Sequence, residues 1–273
     1  MLWLRNDQLS VAVLDPRDAS DHFRFGPRYC TGGYIFQVTD AAIGDLLSGP
    51  TYPESFNWFD GQGIPDAFNL GPLRTPEDGD RALIIGTGLC DRKEKRIVDH
   101  ADWAVDEDER TTLRFDLQQS HRDWRFGLER TVSLAGRTVR SWTRLENRGR
   151  GSVPVRWFPH PFFPQPESAE LMKVNLEVSF PAGGAYELRE SGWIARRGWP
   201  WTEGHYQPLD HTARERLVVQ QRHRLLGIVT ATFSYVPDFF PIWGNPHTFS
   251  WEPFLERTVA AGQSLEWEIS YDF

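Results

Sequence analysis

Cysteine is scarce in this chain: Cys30 and Cys90 are the two among 273 residues. They are too few and too widely spaced for a disulfide framework or a zinc site. Both are expected to stay reduced and to pack as small apolar side chains. Lysine is also rare, the arginines are scattered among acids, and the formal charge is −8. Nucleic acids and anionic membranes reward basic side chains clustered on one face, so neither is expected as a partner. No apolar run approaches the ~20 residues that span a bilayer, and the start, Met1-Leu2-Trp3-Leu4-Arg5-Asn6, lacks the basic and apolar regions of a secretory signal. A cytoplasmic location is expected.

Several chemistries lack their motifs. There is no Gly-x-x-x-x-Gly-Lys-Ser/Thr phosphate loop, no Gly-x-Ser-x-Gly elbow and no His-Glu-x-x-His helix. Gly61-Gln62-Gly63 and Gly86-Thr87-Gly88 do not open helices, and the eight histidines lie apart in the chain. No metal or organic cofactor is expected. Helix signals are almost missing too: only Asp40 to Leu47 reads as a short helix, with Asp40 as its N-cap.

What the chain has in quantity is aromatic side chains, with 12 Trp and 18 Phe. Such residues favour strands, and their rings also pack against sugar faces. The apolar pattern has mainly period two. It is clean over Thr111 to Gln118, Trp124 to Leu134 and Thr138 to Glu146, which read as half-buried antiparallel strands. Ala135-Gly136-Arg137 reads as the hairpin turn between the last two, with Gly136 free to take positive φ. Further strands are expected at Leu9 to Leu14, Gly33 to Thr39, Arg81 to Gly86, Val153 to Phe158, Lys173 to Phe180, Arg216 to Tyr235, Phe239 to Trp243 and Leu265 to Tyr271. So many strands without intervening helices predict an all-β fold, a large antiparallel sandwich forming one domain over residues 1–273. Ser48 to Asp80 and Trp193 to His211, rich in Pro, Gly and aromatics, read as long loops, either functional rims or lids or well-ordered packing loops.

Two distant segments each set one titratable group among aromatics: Trp157-Phe158-Pro159-His160-Pro161-Phe162-Phe163 and Phe249-Ser250-Trp251-Glu252-Pro253. An imidazole and a carboxyl in apolar surroundings suit acid/base chemistry on a neutral substrate such as a sugar. Glu256, four residues past Glu252, competes for the carboxyl role, because alternate strand side chains could share a face.

Three stretches carry a family resemblance. Arg130 to Gly149 resembles a hairpin leading to a strand that closes with Leu-x-Asn-x-Gly; Phe158-Pro159-His160-Pro161-Phe162-Phe163 resembles a His-x-Tyr/Phe-Phe motif; Ile242 to Pro253, then Ala261-Gly262 and Trp267 to Tyr271, resembles a glutamate-bearing segment before a last strand. In this order, from about residue 81 to the end, the chain resembles the galactose mutarotase-like, or aldose 1-epimerase, superfamily. Arg28 to Gly33 and Gly63-Ile64-Pro65-Asp66 resemble its N-terminal third only loosely, and the arginine that often precedes Gly-Gly-Ile-Pro in phosphosugar mutarotases is not in place.

The resemblance implies a β-supersandwich and an isomerase acting on a small-molecule sugar. Glu252 would take the proton of the anomeric hydroxyl and His160 would give one to the ring oxygen, the roles then exchanging for closure. Aromatic surroundings would disfavour the charged form of Glu252, and an ionised Glu252 would help to keep His160 protonated, drawing the two toward neutral pH. His100, Asp66 and Arg28 would hold sugar hydroxyls and Trp243 a ring face. Two other readings stay open: a non-catalytic sugar-binding or sensing module, and another sugar isomerase or lyase, marked by an arginine or tyrosine beside a substrate carboxylate. A homodimer through a strand edge is equally compatible with the sequence.

Overall fold

A computed structural model of the chain describes residues 1–49, 61–212 and 214–273. Strands dominate and all the paired ones are antiparallel. The largest sheet has ten strands, with Ser264–Asp272, Thr138–Asn147, Trp124–Ala135 and Thr112–His121 side by side. Over these the period-two pattern is realised: along Thr112–His121, Leu113, Phe115 and Leu117 are buried while Arg114, Asp116 and Gln118 are exposed. Gly136 sits in the two-residue turn of the hairpin at φ 57, with Ala135 opposite Thr138.

Smaller sheets lie against this one and carry the segments singled out above. Val153–Pro159 pairs with Leu255–Val259 on one side and Asp66–Ala67 on the other. A five-stranded sheet contains Phe163–Pro164, Thr248–Trp251, Phe240–Gly244 and His205–His211. Trp157 and Trp251 point from these small sheets into the core. Trp157 packs 5.2 Å from Trp267, and Trp251 stacks 6.1 Å from Tyr271, both partners being on the last strand of the large sheet. Each such aromatic removes ~150–250 Å² from water, worth roughly 4–6 kcal/mol of transfer free energy against the unfolded chain. The alternation that sends Trp251 inward turns Ser250 and Glu252 the other way.

The fold departs from the sequence expectations in several places, among them Arg216 to Tyr235, which is a hairpin of Val218–His223 and Gly227–Phe233. Asp40 to Leu47 is not a helix: Ile35–Asp40 is a strand that turns back into Gly44–Asp45. Asp40 Oδ1 accepts from the amides of Ala42 at 2.8 Å and Ile43 at 3.1 Å, an Asx turn, and Gly44 at φ 88 completes the reversal. Among the described residues the α-helix is Ala19–Phe25, capped by Asp18, whose carboxylate accepts from the Ser20 amide at 2.8 Å. Trp193 to His211 is not one long loop, since it contains the strands Trp193–Arg196 and His205–His211. Of the other expected loop, Ser48 to Asp80, residues 50–60 lie outside the described residues. Lys173 to Phe180 is likewise broken into Glu170–Val174 and Val178–Ser179, which join different sheets.

Candidate active site

His160 and Glu252 are brought together by a shared register. Trp157 lies opposite Leu255 in one ladder and Phe163 lies opposite Phe249 in the next. Three steps forward from the first pair, or three back from the second, set His160 opposite Glu252. Between the ladders Pro159, Pro161 and Pro253 interrupt cross-strand pairing, because proline cannot donate to a ladder and biases the residue before it. The two amides bond elsewhere: His160 N donates to Pro65 O at 2.8 Å and Glu252 N to Pro241 O at 2.9 Å. The gap between the two sheets is therefore where the reactive groups sit.

Within it, His160 Nε2 is 3.3 Å from Glu252 Oε1. The other ring nitrogen, Nδ1, is 2.8 Å from Ser250 Oγ. Ser250 lies on the strand Thr248–Trp251 and Glu252 just past its end, and the two reach the imidazole one at each nitrogen. Phe162 stacks on the imidazole at 4.4 Å and Trp243 stands edge-on at 6.0 Å. The pair opens on a cavity of about 380 Å³, lined also by Arg28, Arg156, Tyr206 and Trp243. That volume lies at the small end of ligand pockets, ~300–1,000 Å³.

Burial decides the protonation of the pair. It pushes the Glu252 carboxyl up to about 7, with the Arg28 guanidinium opposing the rise. It holds His160 well below the ordinary imidazole range, and Arg28 adds to that depression. Both shifts favour the neutral form, as desolvation does. The expected rise of Glu252 toward neutrality is present, whereas His160 is not kept protonated: burial and Arg28 both depress it, and near neutrality the pair holds one titratable proton.

Of the six site residues expected from the sequence, the structure gathers four: His160, Glu252, Arg28 and Trp243 all line the cavity. Arg28, 8% exposed, lies over the rings of Tyr29 and Phe158. Asp66 is elsewhere: its carboxylate is buried against the Arg130 guanidinium, which also donates to Gly32 O. His100 stacks on His22 at 4.4 Å and lines a separate depression with His121. Neither reaches the cavity. Glu256 projects to solvent and pairs with Arg156 at 2.9 Å, since one strand ends at Trp251 and Pro253 intervenes before Leu255 begins the next. Sequence reasoning missed Ser250, although Ser-x-Glu spacing on a strand puts both side chains on one face. It also missed Arg156 and Tyr206.

Cys30 and Cys90 are both free and buried, and burial pushes each thiol up to about 12. Among the described residues no group of three or more metal-ligating side chains gathers, and no helix is long and apolar enough to cross a membrane.

No family model matches the chain, and no curated protein does. Solved structures do. A galactose mutarotase related enzyme from Lactobacillus acidophilus superposes with a TM-score of 0.65 at 14% identity, covering 99% of this chain and 96% of that one. A galactose mutarotase-like protein from Clostridium acetobutylicum gives 0.59 at 12% identity, covering 98% and 93%. An aldose epimerase homologue from C. elegans gives 0.53 at 11%, covering 99% and 97%. The chain thus has the galactose mutarotase-like fold along nearly its whole length, including the N-terminal third that the motifs matched only loosely.

Proposed function

We propose that this chain is an aldose 1-epimerase-like enzyme that interconverts the anomers of a sugar. The observation that carries the reading is the His160–Glu252 contact at 3.3 Å on the wall of a cavity of monosaccharide size. Ring opening takes the proton from the anomeric hydroxyl and gives one to the ring oxygen as C1–O5 breaks. After rotation about C1–C2 the steps reverse, leaving the other anomer. Glu252 as carboxylate takes the first proton and His160 as imidazolium supplies the second. That carboxylate–imidazolium state holds the same single proton as the neutral pair and differs from it by one transfer across the contact. The apolar wall formed by Phe162 and Trp243 keeps the exchange away from bulk water. The side chains provide both the acid and the base for this route.

Polarimetry or saturation-exchange NMR on freshly dissolved α-glucose and α-galactose tests the proposal. The wild type is expected to speed equilibration, and His160→Ala to lose that acceleration. Detectable sugar binding by the wild type with no acceleration of either sugar would instead favour the binding-module reading.

A further inference from the structure

We propose that Ser250 is a positioning residue whose hydroxyl lets His160 change which ring nitrogen carries hydrogen as Glu252 gains or loses its proton. This rests on the acid/base reading of the pair above. Ser250 is fully buried, and the hydrogen-bond partner of its hydroxyl is His160 Nδ1 at 2.8 Å. The imidazole is therefore held at both nitrogens, by Ser250 at Nδ1 and by Glu252 at Nε2.

The chemistry of the three groups fixes how they can combine. A neutral imidazole has one N–H and one bare nitrogen, a carboxyl donates and a carboxylate only accepts, while a hydroxyl does either. When Glu252 carries its proton it presents a donor to Nε2. Nε2 is then bare, the hydrogen sits on Nδ1, and Ser250 accepts it. When Glu252 is ionised, Nε2 carries the hydrogen toward the carboxylate, Nδ1 is bare, and the Ser250 hydroxyl donates. An imidazolium, donating at both nitrogens, is again served by Ser250 as acceptor. A backbone carbonyl in place of Ser250 would accept only, and would lock hydrogen on Nδ1. Burial makes the difference matter, because an unpaired buried polar atom costs ~1–3 kcal/mol.

Ser250 is not a nucleophile here. Its side chain has no accessible surface and it does not line the cavity. Other charged or titratable groups face the same place: Arg28 from the segment after the helix, Arg156 from Val153–Pro159, and Tyr206 from His205–His211. Tyr186, on the neighbouring sheet, also senses Glu252. Tyr29 meets the His160 ring edge-on. Of the groups around the imidazole, Ser250 has the hydrogen bond to Nδ1.

The test is a pH titration of ¹⁵N-histidine-labelled protein over about pH 5 to 9, the range that brackets the titration of Glu252 at about 7. The His160 signals are assigned by their loss in His160→Gln. In the wild type the hydrogen is expected to move from Nδ1 to Nε2 as pH rises through the titration of Glu252. Ser250→Ala is expected to abolish that clean exchange and Ser250→Thr, which keeps the hydroxyl, to restore it. In parallel, Ser250→Ala is expected to lower kcat roughly 10- to 100-fold with little change in KM, the factor that corresponds to one buried polar atom left unpaired. If Ser250→Ala does not fold, Ser250→Cys, of similar volume with a weaker donor, is judged by the same criteria. A wild-type His160 that keeps one tautomer throughout, or a Ser250→Ala protein that titrates like the wild type, overturns the proposal. If the wild type accelerates no sugar, the epimerase reading falls while the nitrogen spectra still decide the role of Ser250.

Discussion

His160 and Glu252 face each other across the break between two antiparallel ladders that share one register, Trp157 being opposite Leu255 and Phe163 opposite Phe249. The contact depends on strand pairing on both sides of the break, and its chemistry depends on the dryness of the place.

The pH dependence of kcat/KM follows from those two shifts. The productive form of the pair holds one proton, which is lost as Glu252 ionises at about 7. A second proton enters only well below the ordinary imidazole value. The rate is expected to fall as pH rises through about 7, to hold level on the acid side of that, and to fall again only in distinctly acid solution. A profile rising through pH 7 would contradict this order.

Glu252→Gln should gain stability while losing activity. A carboxyl that titrates at 4.5 when unfolded and at about 7 when folded binds more protons in the native state between those values. Its contribution is therefore unfavourable above about 7 and vanishes below about 4.5, a difference of about 3 kcal/mol. Urea denaturation at pH 8 should show Glu252→Gln the more stable by up to that amount. At pH 4 the gap should close.

Asp66→Asn separates a structural role from a ligand role. Arg130 is 1% exposed in its side chain and leans on this carboxylate, so the variant leaves a buried guanidinium without its counter-charge. A cost of about 3–5 kcal/mol is expected in denaturant unfolding. The fraction that remains folded should keep its sugar KM. A raised KM at unchanged stability would return Asp66 to the ligands.

The fold was legible where pattern and local chemistry agree, and four of the six residues singled out for a site line one cavity. Period-two alternation located the strands around Gly136, and the Pro-flanked His160 and Glu252 marked the reactive segments. Register was not legible: nothing in the two motifs states that both ladders count to the same opposition. Asp66 and His100 were misassigned because a motif gives a position in the chain and not the partner a side chain will find. Asp40 was read as a helix cap because an aspartate that accepts from the amides two and three residues on looks the same at a helix start and in an Asx turn.

Gly63 ties the N-terminal region to the reactive pair. Its φ is 76, and a Cβ there would run into the backbone carbonyls of Ile35 and Phe36. Its carbonyl accepts from the Phe162 amide at 2.7 Å, and Phe162 stacks on His160. Gly63→Ala is expected to cost more than about 1 kcal/mol by thermal or denaturant unfolding. It should also reduce turnover in the protein that still folds.

The prolines that open the break remove direct ladder bonds between the two segments, whose amides at His160 and Glu252 bond instead to Pro65 and Pro241. Warming can part imidazole from carboxylate there while the flanking sheets keep their secondary structure. If the proposed activity holds, its loss should therefore precede the loss of far-ultraviolet ellipticity, the site parting before the architecture does.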